Sequence, residues 1–196
     1  MKKKTLALLL ALVLVFGAAV GGTIAYLTDT TDPVTNTFTV GDINISLSET
    51  KPENKQAKII PGCDIAKDPK VTVVANSEAC WLFVKGEEAN WPTPTETVGG
   101  NIVRKVNYAI ADGWTALEGQ TGVYYRSVDA NASSDQNFYV LKGDDTHPNG
   151  VVTVSENLTK TEVSGISTSP TLTFTAYACQ KSGFDTAAAA WDEVKA

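Results

Sequence analysis

The sequence predicts an all-β protein: a jelly-roll-like antiparallel β-sandwich with an N-terminal signal helix and a short C-terminal helix. Three observations predict it. Apolar and polar residues alternate with a period of two in Ile43-x-Ile45-x-Leu47 and across residues 171–178, the pattern of strands with one buried face. Val and Thr, which are branched at Cβ and suit a pleated surface, are abundant. Turn signals separate the short apolar runs at Pro61-Gly62, Gly99-Gly100, Asp112-Gly113, Gly143-Asp144-Asp145, Pro148-Asn149-Gly150 and Ser164-Gly165. Many short strands cut by such turns point to a sandwich or jelly roll.

Residues 1–25 read as a secretory signal peptide. Lys2, Lys3 and Lys4 form a basic head, residues 6–16 are an apolar run, and Gly and Ala crowd the stretch that follows. Thr23 and Ala25 place small side chains three before and one before a cut, so cleavage is expected after Ala25, leaving Tyr26 as the new N-terminus. The alternative is an uncleaved anchor, because residues 5–24 reach the length of a membrane span. The mature chain, 26–196, is expected to be a single β-sandwich domain that opens on an extended segment, 26–40. That segment is rich in Thr and Asp and ends in the strand-competent run Asn36, Thr37, Phe38, Thr39 and Val40.

The strands follow in order. Ile43, Ile45 and Leu47 share one face beyond the Gly41-Asp42 turn. Pro69 cannot donate to a ladder and marks the start of a strand over 71–74. Residues 80–85 are apolar on both sides, as a strand deep in a sandwich requires. Residues 102–110, 123–126, 138–141 and 151–154 are further strands. Across 171–178, Leu172, Phe174, Ala176 and Ala178 share one face, and Thr171, Thr173, Thr175 and Tyr177 the other. Residues 51–58 read as a polar loop and 87–100, with Pro92 and Pro94, as a longer connection. A helix is expected over 184–194, capped by Asp185, driven by its alanine run and pinned to the sandwich by Phe184 and Trp191.

Charge and composition exclude several functions. The chain has 16 Lys+Arg and 22 Asp+Glu. Loss of the three leader lysines leaves 13 against 22, a formal charge of −9. Such a surface repels nucleic acid and anionic lipid, so contact with a membrane is expected only through the leader. Cys63, Cys80 and Cys179 are an odd set, which leaves at least one thiol free or paired to another molecule. Buried thiols behaving as small apolar groups are one expectation, and a single bridge among these candidate disulfide partners is the other. His147 is the only histidine and lies in a polar turn. No nucleophile elbow, helical zinc-protease motif or phosphate loop accompanies it, so neither catalytic residues nor a cofactor is expected. Asp144 and Asp145 offer oxygen ligands for calcium, with a solvated turn as the plainer reading.

Several blocks resemble a known family. Residues 21–29, Asn36-Thr37-Phe38-Thr39-Val40-Gly41 and Ile43-x-Ile45-x-Leu47 resemble the N-terminus of TasA/camelysin-related exported proteins, which carry leaders of the SipW-dependent type. Pro61-Gly62, Lys67-Asp68-Pro69, Val71-Thr72-Val73 and residues 80–85 resemble the family's next block, and residues 174–177 and 183–191 its closing block. Residues 87–160 resemble nothing in it. The resemblance implies a jelly-roll-like sandwich, export by a Gram-positive cell, cleavage by a SipW-type signal peptidase, and a place at the cell surface or in the biofilm matrix. Some relatives build extracellular fibres, and camelysin-type relatives are described as metallopeptidases. The leading expectation is therefore a secreted structural protein that assembles with its own kind or other matrix proteins by β-strand addition. In that event residues 36–40 are the strand-exchange segment; in the alternative they form the first strand of a monomer. The other readings are an exported metallopeptidase and a glycan-binding module using Trp91 or Trp114.

Overall fold

One long antiparallel ladder organises the chain. In the computed structural model, which describes residues 42–50, 57–166 and 169–195, strand β4 (Cys80–Ala89) pairs along its whole length with β12 (Thr171–Gln180), from Thr171 opposite Ala89 to Gln180 opposite Cys80. On its other side β4 pairs with β9 (Val123–Val128), and β9 with the short β8 (Thr115–Ala116), giving the sheet order β12-β4-β9-β8. The described residues all belong to one compact unit, Val40–Ala196.

The facing sheet is built on β3 (Lys70–Val73), with β1 (Ile45–Ser48) on one side and β10 (Gln136–Tyr139) on the other. Beyond β10 the backbone bonds onward to residues 109–111, where Ala111 N donates to Val140 O and Lys142 N to Ala109 O, both at 2.9 Å. The chain then passes from residue 111 into β8, so this side of the sandwich is closed covalently. A separate three-stranded sheet, in the order β2 (Ile65–Ala66), β11 (Val151–Val154) and β7 (Val106–Tyr108), adjoins the end of this facing sheet, where Val140 N donates to Pro69 O and Val151 N to Lys142 O. The remaining hairpin, β5 (Thr95–Val98) and β6 (Asn101–Arg104), turns on Gly99 and Gly100 with φ +58° and +86°, the consecutive left-handed pair that a two-residue hairpin loop demands.

The pleat sends alternate residues of β4 and β12 to different cores. Cys80, Leu82 and Val84 meet Val71, Val73, Val128 and Val140 between the sheets, with Phe174, Ala176 and Ala178 packed against them. Phe83 and Cys179 face outward and are covered by Ala187, Ala190 and Trp191 of the C-terminal helix. A third cluster, around Val106, Leu141, Val152, Val154 and Leu158, fills the end of the sandwich. The all-β sandwich and the closing helix agree with the sequence reading. The leader and residues 26–41 lie outside the described residues, as do 51–56 of the expected polar loop.

Four expectations need correction. The C-terminal helix (Ala187–Val194) is capped by Thr186, whose hydroxyl accepts from Ala189 N at 3.2 Å; Asp185 lies one residue too early to reach that N–H. The expected strand over 102–110 bends at Lys105, whose N–H ends the β5–β6 ladder at Pro94 O and whose C=O accepts from Ser155 N beside β11, so its two halves join different sheets. The expected connection over 87–100 begins and ends in strand, because Glu87 and Glu88 sit opposite Thr173 and Leu172 and residues 95–98 form β5. Leu47 is 37% exposed, so the alternating face of β1 is buried only at Ile43 and Ile45.

A short helix, α1 (Lys160–Ser164), was not anticipated, although its signature is plain in Thr159-x-x-Glu162. Thr159 Oγ1 accepts from Glu162 N while Glu162 returns a bond to Thr159 N at 2.7 Å, a capping box. The C-terminal helix is α2. Lys105 Nζ also reaches both Glu162 oxygens at 2.9 Å. The Thr159 N–H, then Lys105, hold the Glu162 carboxyl down from its ordinary 4.5 to about 2. A depressed carboxyl stabilises the fold above its unfolded pKa and loses that contribution as pH falls toward the folded one. The wild-type melting temperature should therefore drop more steeply between pH 4.5 and 2 than that of Glu162→Gln, by thermal melts across that range. Equal slopes would show that the box contributes nothing.

Candidate functional site: an open seam between two sheet edges

The two sheets are joined at β8 but end separately at β1 and β12. The bonding sense of β12 follows from Lys181 N, which donates to Ala79 O at 2.8 Å, and from Gly86 N, which turns the other way to Gly122 O at 2.8 Å. In an antiparallel ladder bonded pairs alternate. Odd-numbered residues of β12 therefore bond β4, while Leu172, Phe174, Ala176, Ala178 and Gln180 point N–H and C=O away from it. Among the described residues nothing pairs with that edge. On β1, Val74 N donates to Asn44 O at 2.9 Å, so the same alternation leaves Ile45 and Leu47 with outward backbone groups. Asn44 N donates to the buried Ser77 hydroxyl at 3.1 Å, which fixes the start of β1 beside the sandwich.

Natural edge strands are protected by charge, proline, bulges or brevity. β12 has ten residues and contains no charge, no Pro and no Gly. Its inner face is apolar and its outer face is mostly threonine, the composition of a strand built to be paired on both sides.

At one end the seam widens into a cleft of about 440 Å³. Glu49, just past β1, and residues 171–174 form its rims, and Ile59, Ile65, Val152 and Trp91 line it. Lys67 and Glu49 form an ion pair at the wall, with side chains only 15% and 21% exposed. Farther along, Arg104 grips Glu88 through two bonds of 2.7 and 2.9 Å, and Tyr108 Oη donates to the same carboxylate at 2.8 Å. The Arg104 bond holds the Glu88 carboxyl below its usual range. Burial, then the Glu88 bond, push the Tyr108 phenol up. These contacts tie the far end of β4 to β6 and β7.

The sequence-derived sites fall as follows. Thr23, Ala25 and Tyr26, and Asn36, Thr37, Phe38, Thr39 and Val40, lie outside the described residues. All three cysteines are free: Cys63 is exposed in a turn, and Cys80 and Cys179 are buried. Cys179 stands opposite Trp81 and Cys80 opposite Gln180, so the two thiols leave opposite faces of the sheet, Cys80 into the inner core and Cys179 under α2. A bridge needs Cβ atoms that point toward each other, and this pair cannot supply them. Burial raises both thiols, Cys80 to about 11, which keeps them protonated.

Trp114 is not a free stacking platform, and Trp91 is half-buried at the lining of the cleft. Trp91 Nε1 donates to Val106 O at 3.1 Å with Arg104 over its ring, and Trp114 is 9% exposed with Nε1 bonded to Tyr139 O at 2.9 Å. Asp144 Oδ1 accepts from the N–H groups of Thr146 and His147, which makes the turn self-capped. Among the described residues no cluster of His, Cys, Asp and Glu could hold a metal ion, and no helix is long and apolar enough to cross a membrane. The chain matches no known family, no characterised protein and no solved structure. The seam is therefore the feature with the clearest unmet bonding capacity among the described residues, and sequence reasoning did not single it out. The charge-free alternation of residues 171–180 was the available signal.

Proposed function

We propose that this is an exported structural protein of the cell surface or biofilm matrix, cleaved by a SipW-type signal peptidase and assembling by strand addition at the β1–β12 seam. The observation that carries the reading is the ten-residue, charge-free edge of β12, whose first four residues, 171–174, border the cleft. An added strand gains backbone hydrogen bonds along the edge, and its alternate side chains set the register. Residues 36–40 suit the role: Phe38 and Val40 share a face and would enter the seam of the next copy, while Thr37 and Thr39 would face solvent. Head-to-tail repetition of such a contact does not close and yields a filament.

Removal of residues 26–40 tests it. The chain starting at Tyr26 should form concentration-dependent filaments by sedimentation and electron microscopy, and the shortened chain should stay monomeric. If both remain monomeric at millimolar concentration, or if both assemble alike, the proposal fails.

A further inference from the structure

Arg126 carries a charge that no carboxylate among the described residues pairs with. It lies on β9 opposite Leu82, and the register on its other side sets it beside Trp114, just before β8. Its guanidinium carbon is 3.9 Å from the centre of the Phe138 ring, which comes from the facing sheet, and 5.4 Å from that of Trp114. Gly113 passes over the group with φ +87°; a Cβ there would lie 3.2 Å from Nη2 and 3.6 Å from Cζ. The guanidinium thus occupies a slot between the two sheets, walled by aromatic rings and roofed by bare backbone.

The two ring faces are its only partners among the described residues. Nε is sealed from solvent without an acceptor. Among the described residues no carboxylate lies within 4 Å of the group; Asp112, next to Gly113, pairs with Lys142 at 3.5 Å instead. Burial pulls the Arg126 pKa down, as it must for a desolvated cation with no counter-charge. Stacking uses the flat faces of a guanidinium, and with Nε sealed the two terminal Nη groups are left to present N–H donors, an end that matches a carboxylate in a bidentate fork.

We propose that Arg126 is a receptor for a carboxylate, taken edge-on between Phe138 and Trp114 beneath Gly113. The carboxylate can come from an acidic side chain of a second copy or from a small free acid. The site lies on the β8–β9 side of the sandwich, away from the seam, and does not depend on strand addition.

Acetate is the probe, titrated into the full chain against chloride at equal ionic strength. The arginine side-chain N–H resonance of Arg126, assigned by its loss in Arg126→Met, should move saturably with acetate and not with chloride. Acetate should also raise the wild-type melting temperature by about 2–4 °C and leave Arg126→Met unmoved. Methionine keeps the apolar stem against both rings; should it fail to fold, Arg126→Lys keeps the charge, loses the fork, and should bind acetate at least about fivefold more weakly. The same resonance shift on raising protein concentration without acetate assigns the carboxylate to a second copy, and a shift seen with acetate alone assigns it to a free acid. No saturable movement under either condition, or an equal acetate response in wild type and variants, overturns the proposal.

Discussion

Lysine at both Thr171 and Thr173 is expected to abolish assembly of the cleaved chain while leaving the monomer folded. Both side chains are exposed on the outer face of β12, at the rim of the cleft. The positions are chosen for the neighbouring strand: Thr171 faces Ala89 and Thr173 faces Glu87, so the new charges meet no like charge across the ladder, whereas Thr175 faces Lys85. The fold should change by no more than about 0.5 kcal/mol, as at other surface positions. An incoming strand, by contrast, would have to desolvate two ammonium groups along the edge it covers, the device by which natural edges refuse partners. Assembly should weaken by at least about tenfold, or ~1.4 kcal/mol per contact. Sedimentation velocity on the chain from Tyr26 and its double variant measures this. Undiminished filaments from the variant would place the contact elsewhere on the molecule.

Phe83→Ala should cost ~3–5 kcal/mol, the range for emptying a large aromatic site in a core. The side chain is fully buried, with its ring 5.3 Å from that of Trp191 and 6.4 Å from that of Tyr125. It is the floor on which α2 rests. A helix of eight residues has little stability of its own in water, so loss of the ring removes both the packing and the reason for the helix to form. Against a typical total of about 5–15 kcal/mol, the variant should melt at a urea concentration lower by roughly 2 M. Ile102→Ala, at a residue 78% exposed on the β5–β6 hairpin, is the matched control and should stay within about 0.5 kcal/mol. A Phe83 cost below about 1 kcal/mol would mean that α2 does not depend on this cluster.

The strands that were legible share one property: each has a face whose burial is visible in its own residues. The alternation of 171–178 declared which side chains of β12 face the core, and Leu172, Phe174, Ala176 and Ala178 do so. The run 80–85 is apolar on both faces because it is covered on both, by β3 and β10 inside and by α2 outside. What was missed depends on partners far away in the chain. β5 is mostly polar and owes its pairing with β6, which the expected strand over 102–110 covers in part, to the glycine turn between them. The two-residue β2 and β8 exist only because β11 and β9 pass beside them. The bend at Lys105 is where pairing passes from β5, at Pro94 O, to the β11 side, at Ser155 N.

The same division holds for the candidate sites. Residue pattern alone determined an all-β chain of many short strands, a closing helix and an acidic surface, because periodicity and charge are local properties written residue by residue. Which edges are left open, and which charge is left unpaired, was decided only when the sheets met. Cys80 and Cys179 come side by side yet face apart because register, set by the whole β4–β12 ladder, assigns each to its own side of the pleat. β12 ends its sheet with no strand paired to its outer edge among the described residues, and Arg126 lies between Phe138 and Trp114 because the two rings arrive from different sheets. Such outcomes depend on distances between residues remote in sequence, and those distances exist only in the folded chain.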